Sequence, residues 1–68
     1  MPRYHVNKRA QNTGEHEVHL DTCRHAPEVA NQHDLGEHLT CSSAVEAAKR
    51  HYTDVDGCFH CSNLCHSR

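Results

Sequence analysis

Residues that bind soft metal ions occur at two distant points of this 68-residue chain. His19 and Cys23 form a His-x3-Cys pair, and Cys58 and Cys61 form a Cys-x2-Cys pair that follows an Asp-Gly turn. A tight turn directs both thiolates of such a pair toward one ion, so Cys-x2-Cys is a frequent zinc-binding unit. One imidazole and three thiolates complete the four-coordinate shell that zinc prefers. The spacing therefore predicts a Zn²⁺ site with His19, Cys23, Cys58 and Cys61 as ligands.

Three further residues are alternative ligands, namely Cys41, Cys65 and His66. Spacing limits the choice of ligands but does not select between neighbours. Cys65, at the spacing Cys61-x3-Cys65, could replace the His19 half of the set or join a second site with His60 or His66. Cys41, beside a predicted helix start, is better explained as a small buried apolar residue. The fourth ligand and the native metal therefore stay open at this stage.

The pair Cys58 and Cys61 also matches the redox motif of thioredoxin-like proteins. In those proteins the motif lies at a helix N-terminus, whereas here it follows the predicted helix. Five cysteines are an odd number, and no apolar leader precedes the first charged residue. These features favour a reducing, cytoplasmic compartment in which thiols act as metal ligands rather than as bridges.

Length and composition predict one small domain over residues 1–68, with an ordered core at about residues 4–62. Only 35% of the residues are hydrophobic, and the chain has no Trp. Domains of this size bury too little apolar surface to be stable easily, and they often add a metal. Structural zinc contributes about 10–16 kcal/mol of apparent binding free energy. A metal is therefore expected to decide whether this chain folds.

Charge and histidine content limit the choice of partners. The formal net charge is −2 with neutral histidines, so the chain presents no strong basic field to nucleic acid. No run of about 20 apolar residues is available to cross a membrane, and a monomer is expected. Nine histidines are present. Four of them are predicted to be solvated polar residues: His5, His25, His33 and His38.

Period-two alternation predicts strands at residues 4–8 and 15–20, which pair as a hairpin. A third strand is predicted at residues 35–41. The segment 23–34 is interpreted as a loop, with one helical turn at residues 28–31.

One main helix is predicted to begin near Ser42. Ser43 and Glu46 fit a capping box, in which each side chain satisfies a free donor of the first turn. The helix is expected to end near Tyr52, and residues 54–57 form a turn that delivers the Cys-x2-Cys pair. The tail after this pair, residues 62–68, is expected to fray. The predicted fold is α+β: a short antiparallel sheet of two or three strands, with one helix followed by a Cys-x2-Cys knuckle.

These motifs together resemble the Ada-type zinc-binding domain. The matching residues are His19-x3-Cys23, Asn31, the segment Ser-Ser-Ala-Val-Glu-Ala-Ala at 42–48 and Gly57-Cys58-x2-Cys61. That domain occurs at the N-terminus of the Ada DNA-repair methyltransferase and in some nucleases. The nuclease-associated versions are more similar, because they use His-x3-Cys and often begin with a Tyr, as Tyr4 does here. The resemblance covers residues 4–61 and implies zinc bound by the two ligand pairs.

Departures from that family change what the resemblance implies. The methyl-accepting Cys of the methyltransferase corresponds to His19 here, so phosphotriester repair is not expected. Of the basic residues that usually follow the ligands, Arg24 is present, but Ser62 and Asn63 follow the last cysteine of the knuckle. The segment between the two ligand pairs is longer, and the tail with Cys65 and His66 is additional.

The functional hypothesis is a structural zinc module that acts by binding a partner, either a protein or a nucleic acid. A closed shell leaves no position for a reacting water, so the chain is not expected to be an enzyme. The first alternative is a nucleic-acid-binding zinc module, although aromatic residues for base stacking are few. The second is a metal-handling or thiol redox-sensing protein that uses Cys41, Cys65 and the histidines as exchangeable ligands.

Overall fold

A four-stranded sheet and one helix make up the fold of residues 1–67, the part of the chain that the computed structural model describes. The strands are β1 (Arg3–Asn7), β2 (His16–Leu20), β3 (Gln32–Glu37) and β4 (Val55–Gly57). The helix α1 (Cys41–Ala48) lies between β3 and β4 in sequence, and 3-10 turns occur at Val29–Asn31 and Asn63–Cys65. The strand order is β3-β1-β2-β4. The α+β class is confirmed, but the sheet has four strands rather than two or three.

The hairpin predicted from alternation is confirmed. β1 and β2 pair antiparallel, with Val6 opposite Val18 and His5 opposite His19. Gly14 in the connection has a φ of +99°, a conformation that glycine adopts without steric penalty. Because successive residues of a strand point to opposite faces, the two valines and the two histidines lie on different sides of the sheet.

The predicted turn at residues 54–57 is in fact largely a strand. β4 pairs parallel with β2, with Val55 beside His16 and Gly57 beside Val18, so the sheet is mixed rather than antiparallel. A parallel neighbour needs a crossover connection, and here β3 and α1 lie within that connection. Gly57 is required because a Cβ there would come within 2.7 Å of the Cys65 Cβ and 2.8 Å of the Ser62 carbonyl oxygen.

The third strand is present but begins earlier than predicted. β3 starts at Gln32, inside the predicted loop, and ends at Glu37. It pairs antiparallel with β1, and the register shifts between Tyr4 and His5. Gly36, opposite Tyr4, has a φ of +83°, which suits the irregular backbone of such a shift. The predicted helical turn at residues 28–31 corresponds to the 3-10 turn there.

The helix begins and ends earlier than predicted. The side chain of Thr40 caps α1 by accepting a hydrogen bond from the Ser43 amide, so the predicted capping box of Ser43 and Glu46 is wrong. Thr40 is an equally suitable cap, and its use moves Ser43 into the first turn. The regular helix ends at Ala48 rather than near Tyr52, although the Tyr52 amide still donates to the Ala48 carbonyl.

The hydrophobic core lies between α1 and one face of the sheet. Ala44 and Ala48 of the helix and Val6 and Val18 of the central strands are fully buried, and Tyr4 extends the cluster. These small side chains allow α1 to lie close to β1 and β2. Among residues 1–67, α1 is also far too short to span a lipid bilayer.

The C-terminal segment is fastened to the domain, contrary to the prediction that it frays. A disulfide joins Cys65 to Cys41 at the start of α1. Next to it, the buried carboxylate of Asp56 accepts hydrogen bonds from the Ser67 amide and hydroxyl, at 2.9 and 3.0 Å, and lies 3.3 Å from His66 Nδ1. The general preference for metal ligands over bridges is therefore wrong for this pair, and Cys41 is half-buried and bridged rather than a free, buried apolar residue. Residue 68, the end of the predicted tail, lies outside the described residues.

Candidate metal centre

The parallel pairing of β2 and β4 places Cys58 beside His19. The Cys58 amide donates to the Val18 carbonyl at 2.9 Å, which extends the pairing one residue beyond β4. The three-residue strand β4 thus fixes the position of Cys58, the residue that follows it, against the end of β2. The sequence indicated both residues, but it did not indicate the strand that joins them.

Two short turns position the other two cysteines. After β2, the Cys23 amide donates to the Leu20 carbonyl at 3.0 Å, which turns the chain back toward the strand end. In the knuckle, the Ser62 amide donates to the Cys58 carbonyl at 2.9 Å and turns Cys61 toward the same point. Both turns are local, so the spacing within each pair sets the direction of its side chains.

The four predicted ligands come together in one cluster. One donor atom from each of His19, Cys23, Cys58 and Cys61 lies within 4.8 Å of the other three. Cys23 Sγ is 3.9 Å from Cys58 Sγ, and Cys61 Sγ is 4.0 Å from His19 Nδ1. Tetrahedral zinc at ordinary bond lengths separates two sulfurs by about 3.8 Å, and a sulfur and a nitrogen by about 3.5 Å. The cluster therefore fits one zinc ion after small adjustments.

The alternative ligands do not join this cluster. Cys41 and Cys65 are bonded to each other, so neither thiol can bind metal while the bridge is intact. His66 Nδ1 donates a hydrogen bond to the Gly57 carbonyl at 3.0 Å, and this nitrogen also faces the Asp56 carboxylate. His66 therefore belongs to the contacts that hold the C-terminal segment.

Backbone amides point at the cysteine sulfurs of the centre. The Leu20 amide donates to Cys61 Sγ at 3.3 Å, and the His60 amide donates to Cys58 Sγ at 3.4 Å. The His25 amide donates to the Cys23 sulfur in the same way. Such donors favour the charged form of an acceptor, so they prepare the three sulfurs to act as thiolates.

His19 is oriented by a carboxylate on its far side. The residue is 2% exposed, with Nδ1 toward the thiols and Nε2 3.4 Å from Glu17 Oε1. Burial lowers the pKa of His19 to about 4, with smaller contributions from His5 and His25. The imidazole is therefore neutral at neutral pH, so its contact with Glu17 is not an ion pair. With the proton on Nε2, facing the carboxylate, Nδ1 keeps its lone pair for a metal.

Burial also keeps the thiols of Cys23 and Cys58 protonated when no cation is bound. It raises the pKa of Cys23 to about 12 and raises the pKa of Cys58 above its usual range. A metal ligand must be a thiolate, so metal binding at this site must release protons. Ionisation of these thiols is therefore favourable only when a cation is bound.

A fifth residue of this region, His5, was not predicted. His5 is 3% exposed rather than solvated, and its ring lies 5.6 Å from that of His19, centroid to centroid. Within residues 1–67, its Nε2 atom has no hydrogen-bond partner. Burial lowers the pKa of His5 as well. The signal was available, because the predicted hairpin already placed His5 and His19 on one face.

The other three histidines that were predicted to be solvated differ among themselves. His25 is exposed, as predicted, whereas His33 and His38 are half-buried. Both ring nitrogens of His38 have partners, with Nδ1 2.7 Å from the Ser43 hydroxyl and Nε2 2.8 Å from the Leu35 carbonyl. These contacts connect the end of β3 to the first turn of α1.

Comparisons with known proteins identify no relative. No protein-family model matches the chain, and no significant match occurs among curated proteins or solved structures. Membership of the Ada-type family therefore stays a prediction that rests on the ligand motifs.

Proposed function

We propose that this chain is a structural zinc module that acts by binding a protein partner. The observation that carries the proposal is the convergence of four soft donor atoms within 4.8 Å of one another. These donors come from the end of β2, the turn that follows it and the knuckle. One imidazole and three thiolates match a zinc shell that is filled by protein ligands and leaves no open position for a reacting water.

Zinc at this position would connect the turn after β2 with the knuckle after β4. Cys23 lies in the long segment between β2 and β3, and Cys58 and Cys61 lie 35 and 38 residues later. Closing such long loops constrains the unfolded chain strongly. A metal at this point would therefore stabilise the whole domain.

Exposed apolar side chains beside the centre support binding of a protein. Phe59 is 56% exposed and Leu64 is 97% exposed, and the Asn63 side-chain amide donates to the Phe59 carbonyl at 3.2 Å. These two side chains are the candidate contacts for such a partner. Residues 1–67 enclose no ligand-sized cavity, so what they offer to a partner is a surface. Three thiolates outweigh the two charges of Zn²⁺, so the centre itself would not attract phosphate.

Native mass spectrometry with circular dichroism tests the metal proposal. Protein made in zinc-supplemented medium is expected to carry one zinc per chain, and chelation is expected to remove the zinc together with most of the folded signal. The Cys58→Ser variant should not retain zinc, whereas the control His33→Ala should retain it. A metal-free, fully folded wild-type protein would contradict the proposal.

A thiol redox sensor is the second candidate, because the chain holds one disulfide and three free cysteines together. Disulfides persist mainly in oxidising compartments, which weakens the basis of the cytoplasmic prediction. Zinc release on mild oxidation, with Cys23, Cys58 and Cys61 forming new bridges, would favour this candidate. Retention of zinc under the same oxidant would favour the structural module.

A further inference from the structure

Two exposed histidines stack on each other next to the metal centre. The rings of His25 and His60 lie 3.8 Å apart, centroid to centroid, with planes inclined by 18°. Each histidine lies two residues after a cysteine of the centre, Cys23 or Cys58. The amides of these two histidines are the donors to the same two sulfurs. The imidazole pair is therefore attached directly to the centre.

The ring nitrogens of this pair are available. Within residues 1–67, no hydrogen bond engages a ring nitrogen of His25 or His60. Other histidines differ in this respect: His16 Nδ1 is 2.8 Å from the Asn7 carbonyl, and both nitrogens of His38 have partners. Unengaged imidazole nitrogens at a surface are good ligands for divalent transition metals.

The donors of the centre itself are less accessible. His19 and Cys58 are buried, and Cys23 and Cys61 are half-buried. A hydrated ion that approaches from solvent must exchange its waters for protein donors one at a time. The exposed imidazoles are the donors that it can meet first, and the thiols of Cys23 and Cys58 lie two residues before them in sequence.

We propose that a ring nitrogen of His25 or of His60 transiently captures a divalent metal ion, which then enters the four-ligand centre and leaves it by the same route. Because the rings are stacked, their nitrogen lone pairs do not converge, and one imidazole at a time holds the ion. This inference rests on the proposed zinc function of that centre. As the ion moves inward, the thiols that coordinate it release their protons to the solvent. A site on the path lowers the barrier in both directions, so it accelerates binding and release equally and leaves the dissociation constant unchanged.

Stopped-flow measurement with Co²⁺ tests the capture site, because cobalt–thiolate complexes absorb visible light. The His25→Phe/His60→Phe variant keeps two stacked rings but removes their nitrogens. Its association and dissociation rates should both fall, and by the same factor. The dissociation constant, measured by competition with a chelator, should equal that of the wild-type protein.

A matched control comes from the second histidine pair of the chain. His33 and His51 have ring centroids 4.2 Å apart, and neither lies within two residues of a ligand cysteine. The His33→Phe/His51→Phe variant should exchange Co²⁺ at the wild-type rate. A His25→Ala/His60→Ala variant, with circular dichroism to verify folding, separates the loss of nitrogens from any effect of bulky rings.

The outcomes distinguish this inference from the proposed function. Slower exchange in both the Phe and the Ala variants, at constant affinity, supports the capture site. Wild-type exchange rates in these variants, or a change in affinity without a matching change in association rate, would overturn it while leaving the zinc centre in place. Failure of the wild-type protein to bind Co²⁺ through thiolates would overturn the proposed function and this inference together.

Discussion

The two faces of the central strands are buried in different ways. On the helix side, Val6 and Val18 pack against Ala44 and Ala48 in an apolar core. On the opposite side, the same strands present buried imidazoles, and the ligand cysteines approach from the turn after β2 and from the knuckle. The alternation of one hairpin therefore builds both an apolar core and a set of metal donors.

The two faces differ in what makes their burial favourable. Apolar burial on the helix side is favourable without any cofactor, by about 25 cal/mol per Å². On the metal side, burial works against ionisation of the thiols, as the raised pKa of Cys23 shows. A buried polar cluster of this kind gains stability only when its donors are paired. The helix side should therefore tolerate loss of the metal better than the metal side.

The largest expected effect is that of Cys58→Ser on the metal side. This change removes a thiolate from the cluster, so zinc should be lost together with binding free energy on the order of 10 kcal/mol. Thermal unfolding in excess zinc, with zinc content measured on the same samples, is the check. If the variant keeps its zinc and the wild-type midpoint of thermal unfolding, the stability of the metal side does not depend on the ion.

Acidification is expected to weaken zinc binding steeply. Burial raises the pKa values of Cys23 and Cys58, and His19 has a pKa near 4, so at neutral pH the ion displaces a proton from each of these two thiols and none from His19. Affinity should fall by at least about a hundredfold, or about 3 kcal/mol, for each pH unit between about 8 and 7. Competition titrations with a chelator measure this slope. A slope below two decades would show that Cys23 or Cys58 is not a ligand.

Removal of the disulfide should have a smaller effect and should leave the metal side intact. The bridge joins residues 24 positions apart, and closing a loop of this length contributes about 3 kcal/mol. The Cys41→Ala/Cys65→Ala variant should lose this amount in denaturant unfolding and still bind one zinc. If this variant loses zinc as Cys58→Ser does, Cys41 or Cys65 takes part in the metal site.

On the helix side, Val18→Ala is expected to destabilise the protein by about 2 kcal/mol. The side chain is fully buried, and the change removes about two methylene equivalents and leaves a small cavity. The variant should still bind one zinc per chain, because Val18 points away from the cluster. Loss of the zinc at saturating concentration would mean that the two faces are not independent.

The smallest expected effect is that of Glu17→Gln. The carboxylate faces the nitrogen of His19 that does not point at the thiols, and such partners increase the basicity of a ligand imidazole. The change should weaken zinc binding by about tenfold, or about 1.4 kcal/mol, with little effect on stability in the absence of zinc. Glu46→Gln, which alters an exposed pair with Lys49, is the control. Equal zinc affinities for the two variants would mean that Glu17 does not affect zinc binding.

Local patterns predicted much of this arrangement. The hairpin follows from alternation, and each ligand pair follows from a turn whose spacing is visible in the sequence. β4 was missed because three residues that include Asp56 and Gly57 have the composition of a turn, and only the neighbouring β2 makes them a strand. The cap at Thr40 was missed because several nearby residues are suitable caps.

The disulfide could not be predicted for a different reason. The pairing of Cys41 with Cys65 depends on the approach of the C-terminal 3-10 turn to the start of α1, which is a property of the tertiary structure. Cysteine spacing does not determine such connectivity. The burial of His5 was within reach, because alternation places both His5 and His19 on the face opposite to Val6 and Val18. Histidine is intermediate in its tendency to be buried, and this favoured the solvated prediction.

X-ray absorption spectroscopy at the zinc edge tests directly whether four protein ligands form a closed zinc centre. A closed centre should have a first shell of three sulfurs at about 2.3 Å and one nitrogen at about 2.0–2.1 Å, with no oxygen. The Cys23→Ser variant, if it retains zinc, should have two sulfurs in that shell. A wild-type shell with two sulfurs or fewer, or with a coordinated water, would contradict a closed centre formed by His19, Cys23, Cys58 and Cys61.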